Sequence, residues 1–298
     1  MPAKVLVSGS SGLIGSPLVR LLETNGYQVT RLVHGAASGA NQIAWDPLKP
    51  LDPGSVSGFD AVVHLAGESI VGRWTDAKKR AIRESRVAGT RHLAEALAGA
   101  AQPPSVLVSG SAIGYYGNRG EEILREESPS GHGFLPEVCV AWEAATTPAA
   151  KSGIRTAHIR TGVVLSESGG ALAKMLTPFR MGLGGNMGNG RQWWSWIALQ
   201  DLVGAILHVL KTDTVHGPVN GVGPNPVTNA EFTMILGSVL SRPTIFPMPA
   251  FAARLAFGEM ANELLLASQR VEPARLIANG YVFQQPDLKP ALAAILKK

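Results

Sequence analysis

The sequence predicts an α/β fold built on a doubly wound parallel sheet, and three observations carry this prediction. Short runs of aliphatic and β-branched residues alternate with helical patterns through the first half of the 298-residue chain. Glycine, proline and Asn-Gly turn signals separate these runs. A glycine-rich turn joins the first run directly to the first helix. Alternation of this kind is typical of parallel strands whose carboxyl ends bind a ligand.

The glycine-rich turn has the spacing G-x-x-G-x-x-G and follows the apolar run at residues 4–7. Gly9 permits the tight turn, Gly12 lets the backbone approach a diphosphate, and Gly15 lets the helix lie close to the sheet. Free amides at the helix N-terminus then meet the negative charge. This context predicts a Rossmann-type dinucleotide site, and the alternative is a flavodoxin-like turn without a ligand. The residues predicted to contact the dinucleotide here are Gly9, Ser11, Gly12, Leu13, Ile14 and Gly15.

The other elements of the first domain follow from the same patterns. Five further strands are predicted, at residues 28–33, 42–45, 61–65, 105–109 and 156–160. Helices are predicted at residues 78–98, 138–150 and 201–210.

A change of composition after the sixth strand predicts a smaller C-terminal lobe. Seven glycines lie between Ser166 and Arg191, and prolines are frequent from Pro218 onward. Helices are predicted here at residues 229–240 and 251–269, with a short strand at 281–283. We assign the dinucleotide-binding domain to residues 1–165 and 191–222, and the substrate-binding lobe to residues 166–190 and 223–298.

The composition of the chain argues against several classes of binding partner and of cellular location. The net charge is +5, but only 16% of residues are charged and no basic block appears, which argues against a nucleic-acid surface. No apolar run reaches the ~20 residues of a membrane span, and the first strand begins too early for a signal peptide. Cys139 is the single cysteine, as expected in a reducing compartment, and the seven histidines lack metal-ligand spacing. We expect a soluble cytoplasmic protein without a metal.

The order of several motifs resembles the extended short-chain dehydrogenase/reductase superfamily. Besides the glycine turn, the matching motifs are His64-Leu65-Ala66-Gly67, Val87-Ala88-Gly89-Thr90, Ser109-Gly110-Ser111-Ala112 and Arg160-Thr161-Gly162-Val163-Val164-Leu165. Together they cover the chain from residue 1 to about residue 210.

A narrower resemblance, to the atypical branch labelled "epimerase family protein", covers nearly the whole chain. It is carried by Gly114-Tyr115-Tyr116-Gly117, Trp142-Glu143, residues 179–185, residues 188–192, Trp196-Ile197, and Gly280-Tyr281. This resemblance implies NAD(P) binding, and members of the branch carry labels such as sugar-nucleotide epimerase or "cell division inhibitor". The resemblance does not identify the substrate.

One departure concerns the Tyr-x-x-x-Lys pair of extended members, in which the lysine lowers the tyrosine pKa for proton transfer. Alignment on Glu143 places Cys139 at the lysine position and Leu135 at the tyrosine position. No lysine lies between Thr90 and Lys151, so a shifted alignment does not restore the pair.

The predicted catalytic residues are therefore Ser111, Tyr115 and Tyr116. Ser111 matches the catalytic serine of the superfamily. We predict that one of the two tyrosines replaces the missing acid/base, although a tyrosine without a nearby cation has a pKa near ~10 and is a poor base. The alternative is that both tyrosines pack under the C-terminal lobe.

NADP is the predicted cofactor, with NAD second, because no acid ends the second strand at Val33 and His34. Arg31 is expected either to lie on the surface or to face a helix, and the alternative is that it curls round towards the cofactor. Asp46 is interpreted either as an adenine contact or as a cap of the following turn. Arg86 is predicted to reach a phosphate or ribose, or else to pair with Glu84 or Glu143. The resemblance adds cofactor contacts at Leu65, Ala66, Gly67, Ser109, Thr161, Gly162 and Val164.

Two functions are compatible with these residues. The first is an NADP-dependent oxidoreductase or epimerase acting on a small molecule such as a sugar nucleotide. The alternative is a non-catalytic NADP-binding regulator or scaffold linked to cell division, which the missing pair favours. Trp193, Trp194 and Trp196 are predicted either to line the substrate pocket or to be buried between the lobes. The resemblance also implies that a homodimer can form through the helices after strands four and five.

Overall fold

A computed structural model describes residues 3–297, and a sheet of seven parallel strands lies at its centre. The strands of the chain are β1 (Lys4–Ser8), β2 (Gln28–His34), β3 (Gln42–Trp45), β4 (Ala61–His64), β5 (Val106–Ala112), β6 (Ile123–Leu124), β7 (Arg155–Thr161), β8 (Val163–Ser166), β9 (Trp193–Trp194), β10 (Trp196–Ala198), β11 (Gly217–Gly221), β12 (Val227–Thr228) and β13 (Arg270–Val271). The central order is β3-β2-β1-β4-β5-β7-β11. This order confirms the Rossmann-type, doubly wound α/β fold.

Ten helices accompany the strands among the described residues. They are α1 (Gly15–Thr24), α2 (Asp76–Ala98), α3 (Phe134–Ala144), α4 (Thr147–Lys151), α5 (Gly170–Arg180), α6 (Leu199–Lys211), α7 (Asn229–Leu240), α8 (Ala250–Phe257), α9 (Ala274–Ala278) and α10 (Leu288–Leu296). Short 3₁₀ turns lie at Pro53–Val56 and Ile113–Tyr116, and a π-helical turn lies at Ala261–Leu265. No helix among residues 3–297 has both the length and the apolar composition needed to cross a membrane.

Helices cover both faces of the central sheet, which explains why its strands are apolar without alternation. Val5 and Val7 of β1 join the cluster under α1 and α6, whereas Leu6 joins the cluster under α2 and α4. A third cluster unites α5, α7 and α10 around Phe232 and Leu292. The proposed boundaries of the two domains remain a prediction.

Three predicted elements differ in the structure. The helix predicted at 251–269 is divided by Gly258, whose φ of +63° ends α8. The helix predicted at 138–150 begins earlier, at Phe134, and is interrupted between α3 and α4. The strand predicted at 281–283 is wrong: Tyr281 donates its hydroxyl to the carbonyl of Asp201 at 2.7 Å, so this aromatic segment anchors the chain to α6.

The tryptophan-rich segment is mostly buried. Trp196 is fully buried, and Trp194 packs on Phe232 with the ring centroids 5.2 Å apart. Trp193 is half-buried and donates to Glu121 at 2.6 Å. Burial therefore accounts for Trp194 and Trp196, as the second interpretation predicted.

Candidate functional site

Close packing fixes the glycine turn between β1 and α1. Gly9 has a φ of +67°, and a Cβ there would lie 2.7 Å from the carbonyl carbon of Leu65. A Cβ on Gly15 would overlap the carbonyl oxygen of Gly9. By contrast, a Cβ on Gly12 would meet only that oxygen, at 3.3 Å. Gly9 and Gly15 are therefore required by the fold, while Gly12 leaves the outer side of the turn open.

The turn presents amides that have no partner in the protein. Among residues 3–297, the amides of Leu13 and Ile14 donate to no acceptor, and α1 has neither a capping side chain nor an acid in its first turn. A cleft of about 310 Å³ opens beside the turn, bounded by Ser11, Ser168 and Gly169. Unpaired amides at a helix N-terminus, beside a glycine that admits close approach, fit the diphosphate of a dinucleotide.

A buried hydrogen-bond chain supports the turn from behind. Ser8 Oγ accepts from the amides of Leu65 and Ala66 at 3.2 and 3.3 Å, so it donates to His64 Nδ1 at 2.6 Å. His64 Nε2 therefore carries the proton and donates to Thr90 Oγ1 at 3.0 Å. Burial lowers the pKa of His64 to about 4, so the ring is neutral. These hydrogen bonds hold the backbone of residues 65–66 against Gly9.

The carboxyl end of β2 carries no acid among Val33, His34 and the following glycine. Val33 is half-buried and His34 is exposed. Arg31 Nη2 lies 3.9 Å from Glu23 of α1, which confirms that it faces this helix. Asp46 accepts from the amide of Leu48 at 3.0 Å, as expected for a turn cap.

Arg86 of α2 reaches the segment after β4. Its Nη1 donates to the carbonyls of Glu68 and Ile82 at 2.9 and 3.2 Å. A Cβ on Gly67 would lie 3.3 Å from its Cζ. Glu84 and Glu143 are not its partners, so the alternative of an ion pair with either residue is wrong.

Ser111 belongs to a buried polar cluster at the carboxyl end of the sheet. Its hydroxyl donates to Glu143 Oε1 at 2.7 Å. Arg160 binds both carboxylate oxygens of Glu143, at 2.8 and 2.9 Å. The side chains of Arg160 and Glu143 are 3% and 13% exposed, so this ion pair is shielded from solvent. A bidentate guanidinium holds the carboxylate rigidly for Ser111.

The two tyrosines contact the same arginine in different ways. Tyr115 is half-buried, and the Cζ atom of Arg160 lies 3.5 Å from its ring centroid. Tyr116 is fully buried and its hydroxyl donates to Asn220 Oδ1 at 2.7 Å while accepting from Arg160 Nη1 at 3.0 Å. Burial raises the pKa of Tyr116 to about 12.

Helix α3 places Leu135 and Cys139, the positions of the missing Tyr-x-x-x-Lys pair, against the turn at residues 113–116. A Cβ on Gly114 would lie 3.3 Å from the side chain of Leu135 and 3.9 Å from Cys139 Sγ. Burial raises the pKa of the Cys139 thiol to about 12. Neither side chain carries a charge. Glu143 lies 32 residues after Ser111, so no local spacing in the sequence indicates the contact between them.

Comparison with known proteins identifies the family. The model of the NAD dependent epimerase/dehydratase family matches residues 5–223, and a domain of unknown function, DUF1731, matches residues 248–295. This chain belongs to the NAD dependent epimerase/dehydratase family. The resemblance to its atypical branch is confirmed, because the human epimerase family protein SDR39U1 is 38% identical over 98% of this chain and 99% of its own length.

Further comparisons agree with this assignment or with the fold. The epimerase family protein MT2273 of Mycobacterium tuberculosis is 43% identical over 97% of this chain and 96% of its own length. A crystal structure of human SDR39U1 with NADPH superposes with a TM-score of 0.91, at 37% identity over 99% of both chains. MoeE5, solved with UDP-glucuronic acid and NAD, is 19% identical over 99% of this chain and 98% of its own length, with a TM-score of 0.76, and shares the fold.

The remaining contacts inferred from the epimerase family lie along the same edge of the sheet. Ser109 is fully buried beside the β4 end, and Thr161 Oγ1 donates to the carbonyl of Ile159 at 3.3 Å. A Cβ on Gly162 would overlap the carbonyl oxygen of Ser195, so this glycine serves packing. Val164 of β8 is half-buried. Their contact with a cofactor stays a prediction.

Proposed function

We propose that this chain binds NADPH at the glycine turn and transfers hydride to or from a small hydroxyl or carbonyl substrate. One observation carries the proposal: the unpaired amides at the N-terminus of α1 and the buried Ser111–Glu143–Arg160 cluster share the carboxyl edge of one sheet. The NADPH found with the human relative supports the choice of coenzyme. The absence of an acid after Val33 supports NADP over NAD.

The proton transfer is assigned to the protein, while the nicotinamide supplies the hydride chemistry when bound. Glu143 holds the proton of Ser111, so Ser111 Oγ offers its lone pairs to a substrate hydroxyl. When that hydroxyl loses its proton to Ser111 Oγ, the serine proton passes to Glu143 Oε1. Tyr115 stacks on Arg160 at the same place and is the second proton-transfer group. Tyr116 we assign to packing, because its hydroxyl is committed to Asn220.

A sugar nucleotide is the proposed substrate class. MoeE5, which shares the fold, is solved in complex with UDP-glucuronic acid and NAD and in complex with UDP-glucose and NAD. The C-terminal lobe supplies the second wall of the site. A cytoplasmic location and a homodimer belong to the same proposal.

The second candidate is an NADP-binding regulator without turnover. The apolar Leu135 and the buried thiol of Cys139 favour it, since neither can transfer a proton at neutral pH. Both candidates need the coenzyme, and they differ only in whether hydride is transferred between the coenzyme and a substrate.

Titration and turnover separate these candidates. We expect NADPH to bind at least tenfold more tightly than NADH, and NADPH absorbance to change with a UDP-sugar or its keto form. Tyr115→Phe is expected to lower turnover at least tenfold with unchanged NADPH affinity, since one general acid/base contributes about 10²–10⁴-fold. Tyr27→Phe is the matched control, because Tyr27 directly precedes β2 at the amino edge of the sheet, whereas Tyr115 follows β5 at the carboxyl edge.

Three outcomes contradict parts of this proposal. Absence of binding for both coenzymes rejects the function. Tight NADPH binding without turnover on any UDP-sugar favours the regulator. Full turnover in Tyr115→Phe removes this tyrosine from the mechanism and leaves Ser111 with Glu143.

A further inference from the structure

Large apolar side chains lie exposed where the loop after α5 pairs with the segment before α8. The amide of Phe246 donates to the carbonyl of Gly184 at 3.1 Å, and the amide of Met248 donates to the carbonyl of Asn186 at 2.8 Å. Helix α8 begins two residues after Met248, so the loop, the segment and the helix adjoin one another. Their exposed apolar side chains, which we call the apolar patch, are Met181, Leu183, Ile245, Phe246, Phe251 and Leu255.

The side chains of the apolar patch protrude from the protein. Ile245 and Phe251 are each 71% exposed, and Leu255 is 77% exposed. Phe251 and Leu255 are four residues apart in α8, so they lie on the same face of this helix. Side chains that line a groove are partly covered by its walls, whereas side chains exposed to this degree can enter a soft apolar phase. An exposed apolar patch of this kind marks a surface that binds a protein or a membrane.

The segments that carry the apolar patch are positively charged. Residues 169–191 and 241–258 together contain five basic residues and no acidic residue. Within residues 3–297, only one of the five has a carboxylate oxygen within 4.0 Å, namely Arg180, which binds Glu167 at 2.7 Å. The five basic residues are Lys174, Arg180, Arg191, Arg242 and Arg254.

The far end of α8 continues this positive charge. A Cβ on Gly258, which ends α8, would lie 3.8 Å from Cγ of the exposed Arg73. Among the described residues, no carboxylate oxygen lies within 4.0 Å of the Arg73 guanidinium. Glu259 is the next acid along the chain, and its charge is neutralised because it binds Lys79 at 2.6 Å. The border of the apolar patch is therefore basic on the side of α8 as well.

This combination of charge and exposure selects the occupant. A second copy of the chain would bring the same arginines together across a two-fold axis without an acid to neutralise them, which is unfavourable. An anionic bilayer surface supplies both the apolar phase for protruding side chains and the negative charge for the arginines around them.

We propose that the apolar patch is a membrane-surface site for anionic phospholipids. Ile245, Phe251 and Leu255 enter the boundary between headgroups and acyl chains, while Arg242 and Arg254 bind lipid phosphates. The contact is peripheral, because α8 has only eight residues and lies in the plane of the interface. This inference goes beyond the proposed function, since it requires neither NADPH nor a substrate.

Vesicle sedimentation with the full chain tests the inference. One set of vesicles is phosphatidylcholine alone, and the other contains about 30% phosphatidylglycerol. We expect at least tenfold stronger binding to the anionic vesicles, and a clear loss at about 300 mM salt because salt screens the charges. Arg254→Gln should weaken binding about fivefold, as for loss of one basic residue near an anionic surface. Phe251→Ser combined with Leu255→Ser should weaken it at least tenfold.

Two matched controls lie outside the apolar patch. Val282→Ser changes an apolar residue that is 80% exposed, and Arg91→Gln changes an exposed arginine of α2, twelve residues beyond Lys79. Both should bind anionic vesicles as the wild type does. Thermal melting confirms that every variant is folded, and if the double serine variant is not, Leu255→Ser alone takes its place with an expected weakening of at least threefold.

The outcomes separate the possible occupants. A wild-type chain that binds neither kind of vesicle overturns the inference, and so does anionic binding that the folded apolar variants retain in full. If vesicle binding is absent and the apolar variants abolish a dimer or the capture of another protein, the patch belongs to that partner and the inference is rejected. NADPH affinity, measured on the same samples, tests the proposed function separately, because its absence leaves vesicle binding unaffected.

Discussion

At the scale of single residues, similar glycines of one motif have different functions. Gly9 and Gly15 are fixed by contacts with backbone atoms of the protein itself. Gly12 has no such contact closer than 3.3 Å and faces the open side of the turn. Gly9 and Gly15 are thus required by packing within the protein, whereas Gly12, three residues from each of them, leaves access for a ligand.

Gly12→Ala is expected to affect the coenzyme rather than the fold. The new methyl group stands where a diphosphate approaches, so NADPH binding should weaken at least tenfold with a melting temperature close to that of the wild type. Gly99→Ala is the matched control, because its Cβ also meets a neighbour at 3.3 Å but lies at the far end of α2. Calorimetry and thermal melting measure the two effects.

Gly15→Ala gives the opposite pattern. Its Cβ overlaps the Gly9 carbonyl, so the melting temperature should fall clearly before any ligand is added. An unchanged melting temperature for this variant would contradict the packing described for the turn.

At the scale of elements, three segments distant in sequence build the polar cluster. The parallel register of β5 and β7 places Ser111 beside Arg160. Helix α3 then brings Glu143 across both strand ends, at 2.7 Å from Ser111. The ion pair is a consequence of strand pairing and helix packing together, and it stabilises their mutual position only while both partners are present.

Arg160→Met is expected to lower the free energy of unfolding by about 3 kcal/mol, because a buried carboxylate loses its partner. Burial works against the charge of Arg160, but its hydrogen bonds to Glu143 raise its pKa, so the arginine is charged throughout the measurable range. Urea unfolding measures the change. Arg119→Met breaks an ion pair with the half-exposed Glu122 and should cost less than about 1 kcal/mol. Equal effects of the two variants would show that burial does not govern this pair.

At the scale of the whole molecule, the C-terminal chain folds back onto helices α2 and α3 and strand β6. Lys79 of α2 binds Glu259 at 2.6 Å, and Glu263 accepts from the amide of Leu135 at 3.3 Å. The pair β6–β13 adds backbone hydrogen bonds between the two regions. These contacts connect the C-terminal chain to the N-terminal part of the molecule, while His64 is fully buried beneath the glycine turn.

Stability should fall as the pH decreases below neutrality. The pKa of His64 is about 4 in the folded chain and 6.5 ordinarily, so between these values the unfolded chain binds a proton that the folded chain does not. Acidification through this window favours the unfolded state, by about 2 kcal/mol between pH 7.5 and pH 5. His158, whose pKa burial also lowers, acts in the same direction.

Urea unfolding at pH 7.5, 6 and 5 measures this dependence. His64→Gln removes the titrating group, so its unfolding free energy should change less with pH than that of the wild type. His132→Gln, at an exposed position, is the control and should retain the full dependence. A His64→Gln variant with the wild-type slope would place the titration elsewhere.

The sequence by itself determined the parallel sheet and the glycine turn. These features depend on neighbours along the chain: residue periodicity, turn chemistry and strand alternation, all of which are local. The prediction of a strand at 281–283 was wrong because it also used only local information. The apolar pattern does not reveal that the Tyr281 hydroxyl donates to the carbonyl of Asp201 in α6.

Only the tertiary structure decided what surrounds Ser111 and Arg86. Glu143 lies 32 residues from Ser111, and Asn220 lies 104 residues from Tyr116. No local pattern encodes such pairs, because burial and charge neutralisation act between side chains that meet only after the sheet and helices have packed. The different environments of Tyr115 and Tyr116, and the lack of a carboxylate partner for Arg86 within residues 3–297, therefore become visible only in the folded structure.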